Sequence, residues 1–253
     1  MSKSGDLALN LRRQRLGSDT AGCAMWETIT ESRTIPADQT ALVLCDVWDR
    51  HWCRGADERL AMLLPRMNRV ARVLRESGSL IVHAPSDTMA FYAGTPARQR
   101  VLHAPQVVAP APLPHPDAPL PVDASDEGCD TPPDAPCHVW SRQHPTIDID
   151  HERDAISDDG AELHGLYQQQ GIRMVFIMGV HANKCILHRS FAIKALVRWG
   201  YNVALVSDLT DAMYNPALPP YVNHAEGTKL VIEYIEKFWC PTIPSADLLQ
   251  AKA

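Results

Sequence analysis

Met174-Val-Phe-Ile-Met-Gly179 is the most apolar short run in the sequence, and a segment with amphipathic spacing follows it as far as Gly200. This order, a short buried strand and then a helix, recurs along the chain and constrains the fold more than any other feature. Ala41–Asp46 and Ser79–Ala84 are likewise short and apolar, as strands covered on both faces of a parallel sheet read. Between Asp57 and Glu76, apolar residues recur at Leu60, Leu64, Met67, Val70 and Leu74. That is the spacing of one helix face; Gly78 closes it, and Pro65 is a candidate kink. Ser157 is read as the start of a helix running to Gln170, with Asp158 and Asp159 complementing the dipole of its first turn. A helix over roughly 183–199, a strand over 202–207 and a last helix from near Asn223 complete the series, and His138–Ser141 is expected as a short third strand.

The alternation predicts right-handed βαβ units. The expected fold class is α/β: a single Rossmann-like three-layer domain, a mostly parallel sheet of about six strands with helices on both faces, plus a proline-rich insertion. The domain is assigned to residues 38–243. Residues 1–37 are polar and weakly patterned and read as an N-terminal arm, and residues 244–253 as a C-terminal tail.

At 253 residues and 45% hydrophobic, the chain can bury one sizeable core, which excludes a disordered polymer. It has no apolar run long enough to cross a membrane. A net charge of −6 argues against nucleic acid as a partner, and acidity alone names no other. Seven cysteines at irregular spacing, with no secretory h-region near the N-terminus, predict a reducing cytoplasmic setting. Cys129 and Cys137 lack CxxC spacing and read as a loop disulfide or as two exposed thiols. Ten of the twenty prolines fall between Pro105 and Pro136. Such a stretch is stiff and cannot be sheet, so a semi-rigid flap or an oligomer-contact arm near the pocket is expected.

In open parallel sheets, ligands bind beyond the carboxyl ends of the strands. The residues delivered there include Asp46, Trp48, His51 and Trp52 after the first strand, His83 and Tyr92 after the second, and Arg142, Gln143 and His144 after the third. Val180, His181, Ala182, Asn183, Lys184 and Cys185 follow the fourth, and Tyr214 the fifth. Trp48, His51, Trp52, His83, Tyr92, Gln143, His144, Asn183 and Tyr214 are the candidate substrate-binding residues. Cys185 stands where a helix begins, so a lowered thiol pKa is expected. The turn formed by Val180, His181, Ala182 and Lys184 can direct backbone N–H groups at a developing oxyanion. Asp46 can take the thiol proton.

Asp46 within "ALVLCDVWD" and Cys185 within "IMGVHANKCILHRSFAIKALVRWGYNVALVSD" resemble the isochorismatase-like cysteine hydrolases, a superfamily that includes nicotinamidases, N-carbamoylsarcosine amidase, and biuret and ureidoacrylate amidohydrolases. The resemblance covers roughly residues 38–242 without the insertion. It implies that Cys185 attacks a carbonyl, that Asp46 is the general acid/base, and that the Val180–His181 peptide is cis. It also implies a lysine at the end of the third strand, yet no lysine occurs between Lys3 and Lys184. Arg142 in "HVWSRQHP" is the cation at the matching position and is the expected substitute, although arginine cannot shuttle a proton.

The function implied is cleavage of a C–N bond in a small amide, carbamoyl or urea/imide-like substrate through a covalent acyl-enzyme. The alternatives are an isochorismatase-type vinyl-ether hydrolase using Asp46 as acid, or a catalytically impaired member acting as a binding protein. No cofactor is expected. A catalytic zinc or iron is disfavoured because the Asp-x-His pattern of nicotinamidases does not follow the second strand. The resemblance further implies a dimer or tetramer.

Overall fold

The computed structural model describes residues 5–250, so residues 1–4 of the expected arm and 251–253 of the expected tail lie outside the described residues. At its centre are three short strands, β3 (Thr40–Cys45), β4 (Leu80–Ala84) and β6 (Met174–Val180), every residue of which is buried. Along β3, Ala41, Val43 and Cys45 point into one hydrophobic layer while Leu42 and Leu44 point into the other. This two-sided burial is why the strands read as unbroken apolar runs. Each such Leu, Ile or Val contributes roughly 1.5–3 kcal/mol relative to exposure.

The first layer is packed by α4 (Gly160–Gln170), α5 (Cys185–His188), α6 (Ile193–Arg198) and α7 (His224–Phe238). The second is packed by α1 (Arg54–Ser77), whose Leu60, Leu64, Met67, Val70 and Leu74 form the expected inward stripe. Pro65 is accommodated inside this continuous helix, and Gly78 closes it in the left-handed region at φ 106°. Two short helices, α2 (Met89–Tyr92) and α3 (Pro96–Leu102), follow β4.

The remaining strands are β1 (Asp6–Ser18), β2 (Ala24–Pro36), β5 (Ala155–Ile156), β7 (Asn202–Asp211) and β8 (Thr242–Ile243). Their order is β2-β1-β8-β7-β6-β3-β4-β5. The strands from β8 to β5 are parallel, giving the α/β three-layer fold, and β1 and β2 extend it as an antiparallel hairpin. Among the described residues the sheet therefore has eight strands where about six were expected.

Several local expectations are corrected. Residues 6–36 are not a loose arm: Leu7, Leu9 and Leu11 alternate inward and are buried in the second layer, a period-two signal short enough to be masked by polar neighbours. In the tail, α8 (Ser245–Leu248) buries Leu248 in that layer. His138–Ser141 forms no strand; the short strand beside β4 is β5 instead. The cap of α4 is Asp159, whose Oδ1 accepts the N–H groups of Ala161 and Glu162, while the Ser157 hydroxyl turns to the Glu162 carboxylate.

The expected helix over 183–199 breaks after His188, because Arg189 leaves helical geometry at φ −60°, ψ 152°. The proline-rich segment carries no helix or strand among its residues 105–136. It is held by side chains: Val122 is buried in the core, Asp117 pairs with Lys194, and Asp130 pairs with Arg59.

Candidate active site

Asp46 follows β3 and is fully buried, in the left-handed region at φ 50°, which Asp tolerates better than most residues. Its Oδ1 accepts the Ser86 N–H at 2.9 Å, and its Oδ2 accepts Nε–H of Arg189 at 3.0 Å. The Cys185 thiol is hydrogen-bonded to the same carboxylate. What brings the two strand ends together is Gly179. It sits at φ 123°, and a Cβ there would stand 2.0 Å from the Cys45 carbonyl oxygen. Only glycine lets β6 close on β3 at this level, which sets the turn carrying Cys185 beside Asp46.

The electrostatics differ from the expectation of a lowered thiol pKa. Burial, with the Asp46 carboxylate second, pushes the Cys185 thiol up to about 12. The four residues of α5 give too short a dipole to offset this. Burial also raises Asp46, against the opposing pull of Arg189. Arg189 stays charged, because Asp46 and Cys185 outweigh its own desolvation. At rest the constellation is thus a protonated thiol and a fixed guanidinium on one buried Asp46 side chain.

Cys185 and Arg189 open onto a cleft of about 570 Å³, lined also by Asn183, Lys184, His188, Leu120 and Ala124. The last two come from the proline-rich segment. Glu127 of the same segment reaches Lys184 Nζ at 2.5 Å.

Arg142 is not the cation of this site. It is exposed, its backbone pairs with Asp49, and its guanidinium lies 5.5 Å over the Phe91 ring. The Trp48–Gln143 bridge holds the backbone of residue 142 beside the chain that follows β3, yet its side chain turns to Phe91 and not to Asp46. Arg189, four residues after Cys185, fills the place; the Cys–x–x–x–Arg spacing in "CILHRS" was the available signal.

The other candidates divide. The Val180–His181 peptide is cis, as the resemblance implied. The Ala182 N–H is taken by the Asp211 carbonyl and the Lys184 N–H by the His181 carbonyl, so neither can receive an oxyanion. The His181 N–H points at the Cys185 sulfur. Asn183 is spent on structure: its amide bonds both the N–H and the carbonyl of Met213.

His83 is fully buried between Asp154 at 3.0 Å and the Gln143 amide at 2.7 Å, and the Tyr92 hydroxyl accepts the Gln143 N–H. Tyr214 is core, its hydroxyl bonded to the Leu218 carbonyl. Trp48 stacks on Trp140 at 4.4 Å with its indole N–H on the Ser86 carbonyl, so it backs the Asp46 loop. His51 lies edge-on to His181 at 4.9 Å and against Trp52 at 5.2 Å, and burial lowers its pKa to about 4. His144 is half-exposed, with Nδ1 accepting the Thr146 N–H.

Cys129 pairs with Cys53, not Cys137, which is free and exposed; the bonded pair's Cα atoms lie 5.7 Å apart. Among the described residues, the one group of three potential metal ligands within 4.8 Å of one another is Cys53, Cys129 and Asp134. Its two sulfurs are bonded to each other, so the set does not fit a resident cation, and the histidines at 51, 83 and 181 form no such group. No helix among the described residues is long and apolar enough to cross a membrane.

No protein-family model and no curated protein matches the sequence. Solved structures do. A cysteine hydrolase from Pseudomonas syringae pv. phaseolicola 1448A superposes with a TM-score of 0.51 at 15% identity, over 85% of this chain and 93% of that one. An isochorismatase family protein from Burkholderia thailandensis has a TM-score of 0.48 at 16% identity, over 84% and 94% of the two chains. PnC1 from L. infantum, solved in complex with nicotinate, has a TM-score of 0.45 at 15% identity, over 84% and 96%. The chain has the α/β fold of the cysteine hydrolase structure, with an antiparallel hairpin at its β8 edge.

Proposed function

We propose that the protein is a hydrolase that cleaves a C–N bond of a small amide, carbamoyl or urea-like substrate, with Cys185 as nucleophile and Asp46 as general acid/base. The observation that carries this reading is the shared Asp46 carboxylate, which receives the Cys185 thiol and the Arg189 guanidinium at the edge of the cleft. With its pKa near 12, the thiol does not supply free thiolate at neutral pH. Its proton passes to Asp46 as sulfur attacks the carbonyl carbon.

The His181 and Cys185 N–H groups are the donors left near the sulfur for the tetrahedral oxyanion. Collapse breaks the C–N bond, and Asp46 returns the proton to the departing nitrogen. Water then attacks the thioester, giving its proton to Asp46, and Cys185 leaves and is reprotonated. Arg189 moves no proton; its charge favours the ionised carboxylate, against the burial that raises the Asp46 pKa.

Purified protein screened against amides, ureas and cyclic imides for ammonia or amine release tests this. Turnover by the wild type, abolished in Cys185→Ala and in Asp46→Asn, is expected. Full activity in Cys185→Ala would sink the nucleophile assignment. A second reading, vinyl-ether hydrolysis with Asp46 as acid, draws on the raised Asp46 pKa. It predicts turnover of a vinyl-ether substrate that survives Cys185→Ala and not Asp46→Asn.

A further inference from the structure

β2 is the outermost strand of the sheet. It pairs with β1 along its whole length of 13 residues, without a register shift, and most of it is exposed. A long edge with no bulge and no interior proline is what folded chains ordinarily blunt, because its unpaired N–H and C=O groups template another strand. The ribbon is also braced. Trp26 packs on Phe238 of α7 with ring centroids 5.6 Å apart, and Lys237 Nζ lies 5.5 Å from the Trp26 ring centroid. An edge held in place loses little further freedom on pairing.

We propose that β2 pairs antiparallel with β2 of a second copy of this chain, across a two-fold axis at Thr30, making one continuous sheet through both copies. This inference is independent of the hydrolase reading. Centring on Thr30 opposes Glu27 with Arg33 of the second copy, twice over, sets Met25 against Ile35, and engages the full strand from Ala24 to Pro36. About 12 backbone hydrogen bonds follow from pairing a strand of that length.

The neighbouring registers are worse. A centre at Ile29 opposes Glu27 to Glu31, and a centre at Glu31 sets that carboxylate against itself, each a like-charge contact. A centre at Ser32 leaves residues 24–27 without partners. Within one chain, Glu27 and Arg33 make exposed ion pairs with Arg15 and Glu31, at 3.3 and 2.7 Å, which are weak and leave both charges open to a second partner.

The isologous geometry makes a specific test. Glu27→Arg brings two guanidinium groups face to face at each 27/33 contact, and Arg33→Glu brings two carboxylates together there, so each variant alone repels its copy. In a mixed pair, one of the two contacts joins the introduced arginine to the introduced glutamate and the other keeps the native Glu27 and Arg33, so both are opposite-charge again. Light scattering on eluting protein is expected to give twice the 28.0 kDa chain mass for the wild type, the single-chain mass for each variant, and the doubled mass for their equimolar mixture.

Thr30→Cys, in a background with Cys23 and Cys137 changed to Ser, places two thiols on the axis. It is expected to cross-link under mild oxidation, where Thr28→Cys is not. A wild type at single-chain mass, variants that remain dimers, a mixture that stays monomeric, or no cross-link at position 30 would each overturn the proposal.

Discussion

Nε–H of Arg189 meets Oδ2 of Asp46 at 3.0 Å, and Arg189 is the residue that ends the four-residue helix begun by Cys185. The Cys185 thiol and the Arg189 guanidinium are thus delivered to one carboxylate by a single turn of chain. The break after His188 is what frees the arginine to reach it.

Removing that cation leaves Asp46 buried without its counter-charge. Arg189→Met is expected to lower kcat by roughly 100-fold or more, the scale of losing one preorganised charge. Burial raises the Asp46 pKa and Arg189 pulls it back. Asp46 acts as base when ionised, so activity rises with pH through its pKa, and Arg189→Met moves that acid limb to higher pH. Arg189→Lys, which keeps the charge, restores part of both. A pH–rate profile of the three proteins checks this; an unmoved limb would detach Arg189 from Asp46.

Gly179→Ala is expected to cost roughly 3 kcal/mol or more, because its Cβ would stand 2.0 Å from the Cys45 carbonyl oxygen at a φ of 123°. The strand ends would have to separate where Asp46 and Cys185 meet. Denaturant unfolding and turnover are measured together; a variant as stable and as active as the wild type contradicts the close approach.

The Cys53–Cys129 bond ties the start of α1 to the segment that lines the cleft. Cys129→Ser is expected to lower stability by about 2–4 kcal/mol. That corresponds to a fall in Tm of roughly 10 °C for a chain of this size. Cys137→Ser, at an exposed free thiol, is expected to leave Tm unchanged. Differential scanning calorimetry on the oxidised proteins compares them, and equal Tm values for both variants would remove the tether.

Asp154 accepts from Arg75 at 2.6 Å and meets His83 at 3.0 Å. Burial works against its charge, yet His83 and Arg75 hold its pKa down to about 2, from the usual 3.8. A folded-state pKa below the unfolded one contributes stability that is complete above pH 3.8 and is lost as pH falls through about 2. The contribution is about 2 kcal/mol. Urea midpoints between pH 5 and pH 2 are expected to fall for the wild type, with a shallower fall for Asp154→Asn from a lower starting stability. Parallel curves for the two proteins would place the acid sensitivity elsewhere.

Much of the fold was legible in the sequence because its signals are local. β3, β4 and β6 are apolar at every position since both faces are covered, and the stripe from Leu60 to Leu74 repeats at helical spacing. Asp46 and Cys185 could be placed because residues just beyond parallel strands lie at one edge of the sheet whatever the loops do. What the tertiary structure decided depends on contacts between distant positions.

The Asp46–Arg189 pair spans 143 positions. It exists only because the helix breaks after His188, a break that spacing alone did not reveal. Cys53 and Cys129 are 76 positions apart, and sequence spacing offered Cys129 only a loop disulfide with Cys137 or no partner. The thiol's high pKa is likewise a property of burial beside a carboxylate. Local sequence placed Asp46 and Cys185 at one edge of the sheet; burial and long-range charge decided which cation pairs with Asp46 and that the Cys185 thiol rests protonated.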